Sequence, residues 1–170
     1  SSKFTNTYFW YLMGRYVGDG WKKNGKSGSG IIICCGGRNE DKLKQAILKS
    51  EYNYNISTDR SVNKYTICSN ELNKFVNRYG YYAHGKQIDF ETMALPTYLL
   101  KSFIDGYIDS DGCYTNNEYK ISSVSKTLIT GLVQCIAKVY KCHVKLNYCK
   151  RKPRCVIEGR TVNQRDTYTA

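Results

Sequence analysis

Two stretches of this chain, Leu12-Met13-Gly14-Arg15-Tyr16-Val17-Gly18-Asp19-Gly20 and Ile104-Asp105-Gly106-Tyr107-Ile108-Asp109-Ser110-Asp111-Gly112, align without a gap. A pattern carried twice constrains the fold more than any other feature, because each copy brings its own structural unit. Each copy closes an apolar stretch with helical spacing: Leu99, Leu100, Phe103, Ile104, Tyr107 and Ile108 in the second, and Tyr8, Tyr11, Leu12 and Tyr16 in the first. Both stretches therefore read as helices that end at Asp-Gly. Within each, small residues recur four apart, Gly14 with Gly18 and Gly106 with Ser110, leaving one helix face almost without side chains. Two such faces can pack backbone to backbone. Packed in that way, the helices bring Asp19 and Asp111 to the same end of the interface.

The order of the remaining elements repeats as well. After the first motif, Gly30 to Cys35 reads as a strand, Glu40 to Lys49 as a helix, Tyr52 to Thr58 and Val62 to Cys68 as paired strands, and Asn70 to Tyr79 as a further helix. After the second motif come a strand over Tyr119 to Val124, a helix over Lys126 to Tyr140, and strands over His143 to Cys149 and Thr161 to Thr169. This is one αβαββ order twice, which predicts an α+β fold with pseudo-two-fold symmetry. The halves fall at 1–90 and 91–170, within one compact unit. A second echo, Arg60-Ser61-Val62-Asn63 against Arg160-Thr161-Val162-Asn163, places eight inserted residues in the second half. That half has no counterpart of residues 70–89, so it reads as shortened at its C-terminus.

Charge narrows the partner. Lys and Arg number 26 against 14 Asp and Glu, a net +12 spread along the chain, and 16 tyrosines lie among them. A polyanion, best a nucleic acid, answers that surface, since neutralising phosphates releases counterions and Tyr can stack or reach a phosphate. A basic surface kept for solubility is the alternative. The eight cysteines form no C-x-x-C pair, and only His84 and His143 could join them, so zinc is disfavoured and they read as reduced core and strand residues. No apolar run is long enough for a membrane span and no leader is visible, which points to a soluble, intracellular protein.

Two carboxylates held close repel each other unless a cation lies between them, so Asp19 and Asp111 predict a divalent metal, best Mg²⁺, with Gly18 and Ser110 beside them as further candidates. Hard oxygen ligands with open water positions suit phosphodiester cleavage. A lone Asp-Gly is most often a turn or a helix cap. Matched copies on matched helices argue instead for a site.

At these residues the sequence resembles the LAGLIDADG homing endonucleases, whose name spells the motif. The second copy is a good match and the first, with Arg15, Tyr16 and Val17 at its centre, is looser. The resemblance implies αββαββ half-units, two curved antiparallel sheets forming a saddle on double-stranded DNA, and a metal-dependent double-strand cut. It also implies a monomer acting on a long, nearly asymmetric target, with Asp19 and Asp111 as metal ligands. Lys86-Gln87-Ile88-Asp89 resembles the Lys-x-Ile-Pro segment of intein-encoded members, with Asp89 in the proline's place. That likeness implies a catalytic role for Lys86, supporting the attacking water or developing charge. No terminal His-Asn pair accompanies it, so the expectation is the endonuclease part of a longer host polypeptide. DNA contacts are expected among Lys22, Lys23, Lys26, Arg60, Lys64, Lys120, Lys145, Lys150, Arg151, Lys152 and Arg154, on whichever alternate strand positions face the DNA. The rival reading is a binding protein of the same fold, either a DNA-binding regulator or an RNA maturase, that keeps the helices without cutting.

Overall fold

The computed structural model describes residues 3–25, 28–37, 39–151, 154–157, 160–163 and 165–170. A short 3₁₀ turn, Lys3–Thr5, leads into α1, Thr7–Asp19. The side chain of Asn6 accepts the Tyr8 N–H at 2.8 Å and so satisfies one of the donors a helix start leaves free. Strands β1 (Gly20–Lys23) and β2 (Gly30–Cys35) follow, then α2 (Glu40–Lys49), β3 (Asn55–Asp59) and β4 (Val62–Cys68). Helix α3 (Asn70–Phe75) is capped by Ser69 and tightens into a 3₁₀ turn over Val76–Tyr79. Two one-turn helices, α4 (Tyr82–Gly85) and α5 (Phe90–Met93), bridge to the second half.

That half opens with α6, Thr97–Asp111. It continues with β5 (Gly112–Thr115), β6 (Glu118–Ser123), α7 (Lys126–Tyr140) and β7 (Asn147–Cys149). A separate hairpin of β8 (Arg154–Ile157) and β9 (Arg160–Asn163) precedes β10 (Thr167–Thr169). The two principal sheets are antiparallel and four-stranded, ordered β1-β2-β4-β3 and β5-β6-β10-β7. The fold is therefore α+β with a repeated αββαββ order, and α1 and α6 pack against each other at its centre. Both motif helices are lined by fully buried side chains, among them Leu12, Met13, Val17, Leu100, Phe103 and Ile104. No helix among the described residues is long and apolar enough to cross a membrane.

Register shows which positions the two halves share. Ile33 pairs with Gly20 on one side and Tyr65 on the other. Ile121 pairs with Gly112, and exchanges backbone hydrogen bonds of 2.8 and 2.9 Å with Ala170. Ala170 thus holds the place of Tyr65, and Thr167 that of Val62. The Arg160–Asn163 echo of Arg60–Asn63 is a sequence likeness without structural equivalence, because Val162 pairs with Cys155 in the separate hairpin. The αβαββ order likewise needs correction, since each motif helix runs directly into a short strand, β1 or β5. Gly20 and Gly112 make that exit possible: a Cβ on either would press against the last helical turn, at Tyr16 and Ile108 respectively.

Candidate active site and nucleic-acid interface

The seam between α1 and α6 is a direct backbone contact. A methyl group on Gly14 would overlap the Phe103 carbonyl, one on Gly106 would overlap the Tyr11 carbonyl, and one on Gly18 would overlap the Ser110 side chain. Gly18 thus meets Ser110, while Gly14 and Gly106 each meet the backbone of the opposing helix. Asp19 and Asp111 end the two helices side by side, close enough for the Asp19 charge to act on Asp111. Desolvation by the surrounding protein raises the Asp19 carboxyl above its ordinary range, against the opposing pull of Arg15 and Lys86. Desolvation, reinforced by the Asp19 charge, pushes Asp111 up to about 6, while Lys86 and Arg15 pull it down.

Lys86 is brought to the same place. Its ammonium donates to the carbonyls of Val17 and Gly18 at 2.6 and 2.7 Å, the carbonyls that the end of α1 leaves open. Burial lowers its pKa, and the charges of Asp111 and Asp19 oppose that shift. The Ser125 hydroxyl donates to the Lys86 carbonyl at 2.6 Å while its oxygen caps α7, so the lysine's backbone is fixed by the second half. Gly18 presents its carbonyl to Lys86, and Ser110 turns its hydroxyl back to its own helix, donating to the Tyr107 carbonyl at 3.0 Å. Two neighbouring, desolvated carboxylates, next to hard carbonyl and hydroxyl oxygens, are a donor set suited to a hard divalent cation such as Mg²⁺.

A residue absent from the candidates reasoned from sequence, Arg15, lies at the core of this arrangement. It is 1% exposed, its guanidinium donates to the Asp109 carbonyl at 2.5 Å and to the Cys34 carbonyl at 3.3 Å, and its buried Nε has no partner. One side chain thus ties α1 to α6 and to β2, and places a positive charge near both aspartates. The signal was visible as a cation amid Leu12, Met13, Tyr16 and Val17 in an otherwise apolar helix. On the second helix Asp109 accepts from the Tyr11 hydroxyl at 2.8 Å and from Lys42 at 3.1 Å, a second polar link between the halves.

Strand alternation resolves which basic residues share a face. Ile31, Ile33, Tyr65 and Ile67 are buried against the helices. Their neighbours Ile32, Cys34, Lys64, Thr66 and Cys68, with Trp21 and Lys23 opposite Ile32 and Gly30, form the uncovered face of the first sheet. On the second sheet Ile121 is buried, and Lys120, Cys113 opposite it, and Ser122 take the uncovered face. Lys23 and Lys64 lie on the uncovered face of the first sheet and Lys120 on that of the second, with Lys64 paired to Asp59 at 2.6 Å. Lys22 does not: it stands opposite buried Ile31 and donates to Asn77 at 2.6 Å on the helix side. Arg60 sits in the β3–β4 turn with a φ of 58°. Lys145 lines a cleft of about 1300 Å³ shared with Tyr11, Lys42, Asp105 and Tyr140. Lys150 and Arg151 are exposed, and the Arg151 N–H donates to Asp166 at 2.9 Å. Lys26, Lys152 and the Arg154 side chain lie outside the described residues. Trp21, 42% exposed on the open face, escaped the sequence reading because β1 was not read as a strand.

Cys35 and Cys135 are buried. Cys34, Cys68, Cys113 and Cys149 lie on strands, and Cys142 is an exposed connection residue rather than a core or strand one.

No family model matches the chain, and no curated protein matches it. Solved structures do. I-DmoI in complex with DNA and Mn is similar over 96% of this chain and 87% of its own, with 14% identity and a TM-score of 0.63. Mesophilic variants of the homing endonuclease I-DmoI match over 99% and 88%, with 15% identity and a TM-score of 0.63. The N-terminal LAGLIDADG domain of DUF199/WhiA matches over 99% and 76%, with 12% identity and a TM-score of 0.58. These likenesses establish the LAGLIDADG fold.

Proposed function

We propose that this chain is a site-specific DNA endonuclease that hydrolyses phosphodiester bonds in both strands of a duplex with the help of a divalent cation, best Mg²⁺. The observation that carries the reading is the convergence of Asp19, Asp111 and Lys86 at one end of a backbone-to-backbone helix seam. Asp19 and Asp111 would hold the cation, which supplies a nucleophilic water at neutral pH and stabilises the leaving oxygen. The chain's own residues do the rest. Arg15 and Lys86 oppose the desolvation that favours the protonated form of both aspartates. Lys86, desolvated and fixed at the α1 terminus, offers an N–H to the oxygen on which charge develops. The uncovered faces, with Lys23, Lys64, Lys120 and Trp21, would lie along the duplex.

The two faces differ at equivalent positions: Ile32 corresponds to Lys120, and Trp21 to Cys113. The target is accordingly long and nearly asymmetric. The seam lies within one chain, so the active form is a monomer. The likeness to I-DmoI bound to DNA supports this reading.

Incubation with supercoiled plasmids carrying random inserts and Mg²⁺ tests it. The expected result is linearisation of a subset by the wild type, with Asp19→Asn and Asp111→Asn binding the same plasmids without cutting. Tight duplex binding without nicking would make the chain a regulator of this fold. Preference for structured intron RNA over duplex DNA would make it a maturase.

A further inference from the structure

The connection between the halves carries aromatic surface that the proposed chemistry does not use. Tyr81 and Tyr82 are 54% and 80% exposed. Tyr82 also holds a left-handed backbone, φ 57°, that bulky residues rarely adopt. Its ring lies parallel to that of His84, with 6° between the planes and 6.0 Å between centroids. The loop presenting these rings is closed at its root. The Gln87 N–H donates to the Tyr79 carbonyl at 2.9 Å, and Gly80, at φ 77°, leaves no room for a Cβ beside the Gly85 carbonyl. Tyr81 donates to Asn77 at 2.8 Å, with the Lys22 ammonium 5.4 Å above its ring. The rings are therefore held outward by a tied loop.

Exposing large aromatic surface and straining the backbone at one residue are both unfavourable. Strain of this kind persists where the surrounding structure imposes it, and it concentrates at sites that engage a partner. Position identifies the partner. Lys86, four residues beyond Tyr82, is the residue seated against the α1 terminus beside Asp19 and Asp111. The aromatic loop thus borders the end of the seam where Asp19 and Asp111 lie, next to Lys86. Flat exposed rings next to a cation-bearing site fit nucleobases.

We infer that Tyr82 and His84 form a stacking wedge that enters the duplex at the cleavage centre and unstacks a base step there; this rests on the DNA-cutting reading above. Side chains inserted at a base step kink and unwind the duplex, which would carry a phosphate toward the aspartates.

The test needs no knowledge of the target. Relaxed closed-circular plasmid is incubated with the protein and a type I topoisomerase in EDTA, so that binding proceeds without cutting, and linking number is read after the protein is removed. Wild type should leave the plasmid with a lowered linking number. The Tyr82→Ala/His84→Ala double variant should leave it relaxed while still retarding it on a gel. That variant should also bind a mixed-sequence 30-bp duplex about tenfold more weakly by fluorescence anisotropy, the order expected of an aromatic–base stack. Tyr98→Ala, an exposed tyrosine at the end of α6 away from Asp111, should behave as wild type. A double variant that unwinds plasmid as the wild type does, or a wild type that binds without unwinding, overturns the wedge and leaves the endonuclease reading standing. A wild type that binds no duplex overturns both.

Discussion

At Gly106 the Tyr11 carbonyl occupies the space a methyl group would need, with the Arg15 backbone nitrogen 3.1 Å away. Backbone cannot rotate aside as a side chain can. Gly106→Ala should therefore destabilise by about 3 kcal/mol or more in denaturant titrations, at the upper end of overpacking effects. Gly25→Ala, with nothing within 4 Å, should stay within about 0.5 kcal/mol. Asp111 makes a second case at this scale. Its folded-state pKa is raised to about 6, so the metal-free fold binds a proton that the unfolded chain releases. Stability from this group is present at low pH and is lost as pH rises from about 4 through 6. Asp111→Asn should raise the Tm of the metal-free protein at pH 8 and leave it nearly unchanged at pH 4. Equal shifts at both pH values would show that the carboxyl is not desolvated as described. By the same linkage, Mg²⁺ affinity should fall as pH drops below about 6, because protons compete for the ligand.

Among the elements, α3 shows how a short helix is held by polar contacts. Asn73, buried, donates to the Gly30 carbonyl at 2.7 Å and to the Lys23 carbonyl at 3.0 Å, closing the β1–β2 hairpin over the helix. Removing that amide takes a donor from both carbonyls, so Asn73→Ala should lower stability by about 2 kcal/mol and speed amide exchange in β1 and β2. Elements with strong apolar periodicity were legible in the sequence: α7 spans the residues its pattern predicted, as do α2, β2 and β4. The strands β1 and β5 were not, because Trp21-Lys22-Lys23 and Cys113-Tyr114-Thr115 contain neither an apolar run nor a clear alternation. Their strand character comes from pairing with β2 and β6. The stretch after Ser69 read as one helix, but it changes from α to 3₁₀ geometry at Val76, where Val76 and Tyr79 are fully buried. Of the site, the spacing of small residues and terminal acids revealed the seam and the aspartates. The reach of Lys86 to α1 and of Arg15 across it depends on tertiary approach that spacing does not encode.

Taken whole, the molecule sets a net charge of +12 against uncovered sheet faces that carry only part of that charge. The logarithm of duplex affinity should fall linearly with the logarithm of salt concentration, and Lys120→Ala should reduce the slope by about 1 if it meets a phosphate. An unchanged slope with weaker binding would make Lys120 a base contact. The backbone contact of α1 with α6 has a different consequence at this scale. Because Gly14 and Gly106 meet the opposing main chain and Gly18 meets the Ser110 side chain, the junction tolerates almost no change, while the sheet faces on either side are free to vary independently. The junction can therefore act as a fixed coupling between exchangeable parts: chimeras that swap one half for that of another LAGLIDADG-fold chain should assemble wherever the four small residues are preserved, each half bringing its own sequence preference with it.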